Sequence, residues 1–530
     1  MSNGLPRQIE DILQRQSTFT RADLARIERR NRLPSGSLGP GLPGIVPIGT
    51  DSQGRERFTD RDMLAIERGM ADTAATLHSR SRHVIGSRAA TRAAVSNGLQ
   101  LGDQQKAALR HVLRGPDLAL VVGHAGTGKS AMLAAGRSAW REAGYAVKGG
   151  ALSGIASEGL EQGAGIESRT LAAWETLWAR SRDLLTARDV LVIDEAGMIG
   201  SRQMARLLTA AAKARAKVVL VGDFEQLQGI EAGAAFRALV DRHGAAAIHD
   251  IRRQLIDWQR AATRELATGA TGAAIDRYAG AGMVHQNPTR EEARLSLVAA
   301  WDAARRNGGS QIMLAHARVD VLALNLLARA CRHAAGELGR DISIDTAQGP
   351  RSFAAGDAVM FLRNDRALKV KNGTVGTIER IGGGRLEIAA AGRAVSVDPA
   401  AYRDLAHGYA ATVHKAQGVT VDRAFLLASP AFDRHLAYVG LSRHRESVCL
   451  HWAVEDFRDA AQLKAVLGRP GGKDTTLDYL PAPESAPGLL ATAWRAAVTA
   501  ASAALDLALG PADHFRSARG RYAPQPVNKP

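Results

Sequence analysis

The residues best suited to chemistry form one run, Gly123-His-Ala-Gly-Thr-Gly-Lys-Ser130, which fits the pattern G-x-x-x-x-G-K-S in full. It follows the apolar stretch Leu118-Ala-Leu-Val-Val122, which reads as a strand, and it opens a helical stretch. In that setting Gly123, Gly126 and Gly128, with Thr127 among them, let the backbone wrap a chain of phosphates. The free N–H groups of the helix start then face the anion. Lys129 is placed to reach the β- and γ-phosphates, and Ser130 to ligate Mg2+. An ordinary Gly-rich turn is the bland alternative, and the strand before it and the helix after it argue against that. ATP and Mg2+ are therefore the expected ligands.

Two further runs complete such a site. Asp194-Glu195 ends the apolar strand Val190-Leu-Val-Ile193. A strand end sets Asp194 to hold Mg2+, and Glu195 to orient and deprotonate an attacking water. Gly222-Asp-Phe-Glu-Gln-Leu227 follows the strand Lys217-Val-Val-Leu-Val221, and Gln226 on that loop can touch both the γ-phosphate and the water. Phosphate-loop kinases of small molecules do not need this element.

These runs must be carried by a scaffold. Strands at 118–122, 190–193 and 217–221 alternate with helical stretches, which predicts a parallel sheet covered on both faces. A second set at 312–315, 424–427 and 448–452 predicts a second such domain. Between its strands, short segments at 357–362, 374–381, 385–389 and 394–397, punctuated by Asn372-Gly373 and Gly382-Gly383-Gly384, predict a small β-barrel-like insertion. The organisation expected is α/β: a helical accessory region, 1–95; a first domain, 96–248; a second domain in two parts, 249–349 and 405–465, around the insertion, 350–404; and a linker, an Ala-rich helix and a disordered tail, 466–530. In the first of these, helices are expected over 7–15, 20–32 and 59–77, capped by Thr20 and by Thr59 or Asp60, with a Gly/Pro-rich break over 34–54.

The ordered set resembles superfamily 1 helicases of the RecD-like branch, and within it the helicase half of Ti-type conjugative relaxases. The likeness runs from about Leu101 to Tyr479 and includes Lys473-Asp-Thr-Thr-Leu-Asp-Tyr479. Leu101 to Gln105 resembles the adenine-reading Q motif, with Gln105 as reader; Ala151 to Leu160 and Ser168-Arg-Thr170 are similar to the strand-contacting motifs Ia and Ib. Ile251-Arg-Arg-Gln-Leu-Ile-Asp-Trp258 looks like motif IV, Thr412-Val-His-Lys-Ala-Gln-Gly418 like motif V and Tyr438-Val-Gly-Leu-Ser-Arg443 like motif VI. The resemblance implies two RecA-like P-loop NTPase domains and an SH3-like insertion that grips single-stranded DNA. It also implies arginine fingers at Arg253 and Arg443, both from the second domain, and 5′ to 3′ polarity. His414 and Lys415 are left between DNA contact and domain coupling. The chain departs from the family at Gly440 and, more seriously, in the short passage between Thr170 and Val190, which leaves little room for a wedge domain. The relaxases also carry a histidine triad and a tyrosine nucleophile; with no tyrosine before Tyr145 and no close histidine cluster, no nicking activity is expected.

Composition agrees. A net charge of +16 over 530 residues calls for a polyanionic partner. Single-stranded DNA is the expected track, with other conjugation or DNA-processing proteins as further partners. No run of eighteen apolar residues is present, so no membrane association is expected. Two cysteines, Cys331 and Cys449, far apart, read as reduced thiols in a cytoplasmic protein. The reading is an ATP-dependent single-stranded DNA translocase or helicase. Its rivals are an RNA helicase, and an assembly factor on DNA that uses ATP as a switch without unwinding.

Overall fold

The computed structural model describes residues 7–480 apart from 40, 87, 90, 91, 93–99, 230 and 391. The chain opens with α1 (Arg7–Leu13) and α2 (Arg21–Asn31). Thr20 caps α2 in a reciprocal box: its hydroxyl accepts from the Asp23 N–H, and the Asp23 carboxylate accepts from the Thr20 N–H. Next come β1 (Ile45–Thr50) and β2 (Glu56–Asp60), an antiparallel hairpin to which Phe19 adds a bridge at Phe58. The region expected to be helical is therefore mixed. Pro47 and Gly49 hid β1, because both residues argue against a strand; the ladder accommodates them at a bulge between those two positions. The helix α3 (Arg61–His78), capped by Asp60, runs from this module into the next: Met70, Ala74 and Leu77 belong to the core of the next sheet.

After α4 (Asp103–Arg114), six parallel strands follow: β3 (Leu118–Gly123), β4 (Ala146–Ala151), β5 (Ser168–Thr170), β6 (Asp189–Ile193), β7 (Lys217–Gly222) and β8 (Ala246–Ile248). Their order across the sheet is β5-β4-β6-β7-β3-β8. Every residue of the central β3, β6 and β7 is buried, as a sheet covered on both faces requires, and these are the three strands the apolar runs predicted. The Gly-containing or three-residue β4, β5 and β8 carried no such run. The helices α5 (Lys129–Glu142), α6 (Gly154–Ala164), α7 (Leu171–Ala179), α8 (Ser201–Ala214) and α9 (Ala235–His243) complete the two faces.

A second parallel sheet begins with β9 (Val284–Asn287), which follows α10 (Asp257–Ala267) and α11 (Thr271–Gly280), and with β10 (Gln311–Ala315), which lies between α12 (Arg290–Arg305) and α13 (Arg318–Ala334). The chain then departs into antiparallel strands: the hairpin β11 (Ile342–Thr346) and β12 (Gly349–Phe353), then β13 (Ala358–Phe361), β14 (Val375–Gly382), β15 (Arg385–Ala390), β16 (Arg393–Val397) and β17 (Leu405–His407). The last five form one sheet, ordered β16-β15-β14-β13-β17, over a core that includes Phe361, Ile378, Leu386, Ile388 and Val397. The turn from β13 to β14 touches the first domain. Lys371 Nζ donates to Ser157 Oγ at 3.4 Å, and Gly373, at φ +93°, lies so close to Ile155 that a Cβ would collide with it.

The second sheet resumes with β18 (Ala410–Thr412), β19 (Val421–Leu427), α14 (Arg434–Leu441) and β20 (His444–Ala453), giving the order β18-β10-β19-β20-β9. After α15 (Ala460–Leu467), the stretch expected to be a linker runs back to the start of the chain. Thr476 N–H donates to Glu67 Oε2 at 2.6 Å, Thr18 Oγ1 donates to Asp474 Oδ1 at 2.8 Å, and Arg237 holds Asp478 at 3.0 Å. The Ala-rich stretch and tail after 480 lie outside the described residues.

Candidate nucleotide site

The loop between β3 and α5 owes its glycines to its neighbours. Gly126 and Gly128 have φ of +79° and +74°, and each is also crowded. A Cβ at Gly126 would stand 2.5 Å from the Cβ of Arg253, and one at Gly128 2.5 Å from Gln105 Nε2. Thr127 closes the loop on itself by donating to the His124 carbonyl at 2.9 Å. Lys129 Nζ donates to the carbonyls of Gly123 at 2.7 Å and His124 at 3.2 Å, so its charge sits on loop dipoles. Ser130 occupies the first turn of α5, where the helix N–H groups are free.

Asp194 and Glu195 stand where β6 ends. Glu195 adopts φ +53°, and its N–H donates to Asp194 Oδ1 at 2.9 Å. Burial, reinforced by the Glu195 charge and opposed by Lys129, pushes the Asp194 carboxyl up to about 6. The acidic pair and the loop lysine thus share one local field. After β7, Asp223 Oδ2 accepts from Gln226 Nε2 at 3.0 Å.

The second sheet closes over this loop. Arg443 is 1% exposed; its Nε donates to the Val439 carbonyl at 2.8 Å, and its Nη2 donates to Ser442 Oγ at 2.9 Å and to Gln226 Oε1 at 3.4 Å. Arg253 is partly buried, and its Nη1 donates to the Ser442 carbonyl at 2.6 Å. Burial first, and then the Arg443 charge, lower Arg253 to about 9; burial lowers Arg443 as well. Among the described residues neither arginine has a carboxylate ion partner within 4.0 Å. Two guanidiniums that meet at Ser442, one anchored beside the glycine loop and one on the Gln226 loop, with no carboxylate ion partner among the described residues, suit a triphosphate. Ser130 and Asp194 offer the hard oxygen donors that Mg2+ prefers.

Two expected placements need correction. Arg253 does not sit within the second domain. It lies in the passage from β8 to α10, and its own N–H donates to the Gly126 carbonyl at 3.2 Å, so its backbone is anchored to the phosphate loop. Gln105 is not open towards a base. Both of its amide N–H groups are spent on the carbonyls of Thr127, 2.9 Å, and Gly128, 3.1 Å, while its oxygen accepts from the Gly102 N–H at 2.9 Å. It props the loop from behind.

Other residues converge without having been singled out. Tyr438 is buried between the loops, Gln417 Nε2 donates to Glu195 Oε2 at 3.3 Å, and His124 Nε2 lies 3.0 Å from His249 Nδ1. Tyr438 and Gln417 stood inside quoted motifs, but spacing alone could not say which member of a motif faces the site. His414 and Lys415 are not drawn into it; His414 faces His316 at 5.8 Å, and Lys415 Nζ lies 3.9 Å from the Met360 sulfur.

Residues 100–289 match the AAA domain family. The probable conjugal transfer protein TraA of Sinorhizobium fredii is 42% identical over 439 residues, which are 82% of this chain and 40% of that protein. The chain is related to the RecD-like helicase part of TraA. The ATP-dependent RecD2 DNA helicase of Deinococcus radiodurans is 28% identical over 366 residues, 65% of this chain and 48% of the helicase. The crystal structure of a Pif1 helicase from Bacteroides aligns with a TM-score of 0.47 at 16% identity, over 76% of this chain and 99% of that one, an overlap too loose to add to what the sheets show. The chain spans about two fifths of the length of TraA.

Proposed function

We propose that this chain is an ATP- and Mg2+-dependent motor on single-stranded DNA that moves 5′ to 3′ and unwinds duplex, acting in conjugative transfer or related DNA processing. The observation that carries the reading is the pair Arg253 and Arg443, neither with a carboxylate ion partner among the described residues: Arg253 is anchored by its backbone to the phosphate loop and reaches the Ser442 carbonyl, and Arg443 reaches Gln226 from the second sheet. In this reading the two parallel sheets are RecA-like, and the antiparallel sheet is the SH3-like insertion that helps to hold the strand. The domain limits are those of the sheets, with 473–480 serving as a clasp.

Lys129 swings from its loop carbonyls to the phosphates, and the N–H groups at Gly128 to Ser130 receive them. Ser130 and Asp194 would hold Mg2+, which supplies positive charge to the phosphate oxygens when bound. Glu195 takes the proton from the attacking water, and Gln226 orients that water. Arg253 and Arg443 offset the charge that develops in the transition state, which requires a closed cleft. When the γ-phosphate leaves, the arginines lose the anion that holds the domains together, and the cleft opens. A strand lying across both domains is moved by that cycle.

The deciding experiment pairs ATPase turnover with strand displacement on 5′-tailed and 3′-tailed duplexes, with single-stranded RNA as a competing activator. Turnover stimulated by DNA, with displacement from the 5′ tail, is expected. A lack of stimulation by any single strand would reject the motor. A second reading, an ATP-switched assembly factor, draws on the short passage between Thr170 and Val190, which leaves little room for a wedge domain. Stimulated turnover without displacement from either tail would favour it.

A further inference from the structure

The face of α14 turned to the first domain carries Arg434, His435 and Tyr438. Arg434 pairs with Glu225 at 2.8 Å, and His435 Nδ1 lies 2.6 Å from the Glu225 carbonyl oxygen. These two contacts dock the helix on the loop after β7. Tyr438 does something different. Its ring is fully buried, and its hydroxyl joins two separate loops of the other domain. The Ala125 N–H, inside the phosphate loop, donates to Tyr438 Oη at 2.8 Å, and the same Oη donates to Asp223 Oδ2 at 2.8 Å. The directions are fixed, since an N–H cannot accept and a carboxylate cannot donate.

That hydroxyl is one station of a closed circuit. Asp223 Oδ2 also accepts from Gln226 Nε2, Gln226 Oε1 accepts from Arg443 Nη2, and Arg443 Nε returns to the carbonyl of Val439, the residue after Tyr438. Two side chains come from each domain, Asp223 and Gln226 from one and Tyr438 and Arg443 from the other, closed by the Val439 carbonyl. Parting of the domains would leave Tyr438 Oη, the Ala125 N–H and one lone pair of Asp223 without partners together. The two contacts share one hydroxyl, so they are made or broken as a unit.

We propose that Tyr438 is the positioning residue that couples the nucleotide site to the grip on nucleic acid, by holding the phosphate loop and the Asp223–Gln226 loop in register with Arg443. The inference rests on the motor reading above. It differs from ordinary packing of a tyrosine, for which a single hydrogen-bond partner in either domain suffices.

The test is a linkage measurement. Affinity for a labelled oligo-dT is read by anisotropy, with and without Mg2+ and a non-hydrolysable ATP analogue. Wild-type protein should show the two affinities differing by about fivefold or more, the lower end of ordinary coupling. Tyr438→Phe removes the hydroxyl and keeps the ring, and the docking by Arg434 and His435 remains. Its ratio should fall to within about twofold of one, with nucleotide-free affinity and Tm close to wild type. A ratio equal to that of wild type overturns the proposal. Should Tyr438→Phe fail to fold, Asp223→Ala removes the acceptor of the same contact from the other domain, with the same expected loss of ratio and the same overturning result. A wild-type ratio of one, with both ligands bound, rejects the motor reading itself and this inference with it.

Discussion

Lys129 rests on the carbonyls of its own loop, and among the described residues no other is bonded to its ammonium group. Lys129→Ala should therefore abolish ATP hydrolysis while leaving Tm within a degree or two (about 0.5 kcal/mol or less); stimulated turnover near wild type would remove the loop from the mechanism. Arg443 is a sharper case because it is buried. Arginine fingers contribute about 10³–10⁵ in rate, and a site with two such arginines should lose less for each. Arg443→Ala should cut kcat at saturating single-stranded DNA by at least about tenfold, with DNA affinity nearly intact. A kcat equal to wild type at an unchanged Tm would reject the two-sided site. At this scale the sequence was most legible where chemistry follows local spacing. The phosphate loop, Asp194-Glu195 and Gln226 could be read in that way. Gln105 could not, because its amide is consumed by carbonyls more than twenty positions away. Nor could Tyr438, whose partners lie 313 and 215 positions earlier.

At the scale of elements, strands were legible in proportion to their burial. The fully buried β3, β6 and β7, with their apolar runs, announced themselves, whereas β4, with Gly149 and Gly150, and the hairpin strand β1, with Pro47, did not. A glycine in β4 is there for close approach: a Cβ at Gly150 would stand 2.9 Å from Leu171. The least legible element was the segment 473–480, which looks like a linker and behaves as a clasp. Its anchor is Glu67, which accepts from Ser17 Oγ at 2.6 Å, from Ser201 Oγ and from the Thr476 N–H. Glu67→Ala leaves three buried donors without an acceptor, at about 1–3 kcal/mol each before relaxation. Tm should fall by several degrees, and the Thr476 amide should exchange much faster in hydrogen-exchange measurements. An unchanged exchange rate there would show that the clasp is held by other contacts.

At the scale of the molecule, charge sets two expectations. With a net charge of +16, affinity for single-stranded DNA should fall steeply with salt, with a log–log slope of about −0.7 for each phosphate neutralised. A flat response would separate the basic excess from nucleic acid. The second expectation concerns acid. Burial lowers His124 and His243 to about 4, and His444 and His451 to about 3, from an ordinary 6.5. Between 6.5 and those values the unfolded chain binds protons that the folded chain refuses, so stability falls as pH falls. Each histidine contributes at most about 1.4 kcal/mol per pH unit in that window. Tm should drop between pH 7 and pH 5, and a Tm that rises over this interval would contradict the buried neutral histidines.

The clasp has a consequence for the order of events during synthesis. Thr18 meets Asp474, and Glu67 meets Thr476, across separations of 456 and 409 residues. On a ribosome the Glu67 carboxylate emerges with Ser17 already made, but Ser201 and, last, the Thr476 amide that completes the set are not. The second sheet is late as well, since β20, which joins β19 to β9, ends only at Ala453. The molecule therefore spends most of its synthesis with its beginning waiting for its end, and the final snap of residues 473–480 into place is a late folding event. A nascent chain halted before Thr476 would leave that seam open, which makes the seam the natural place for a protease to distinguish unfinished copies from finished ones.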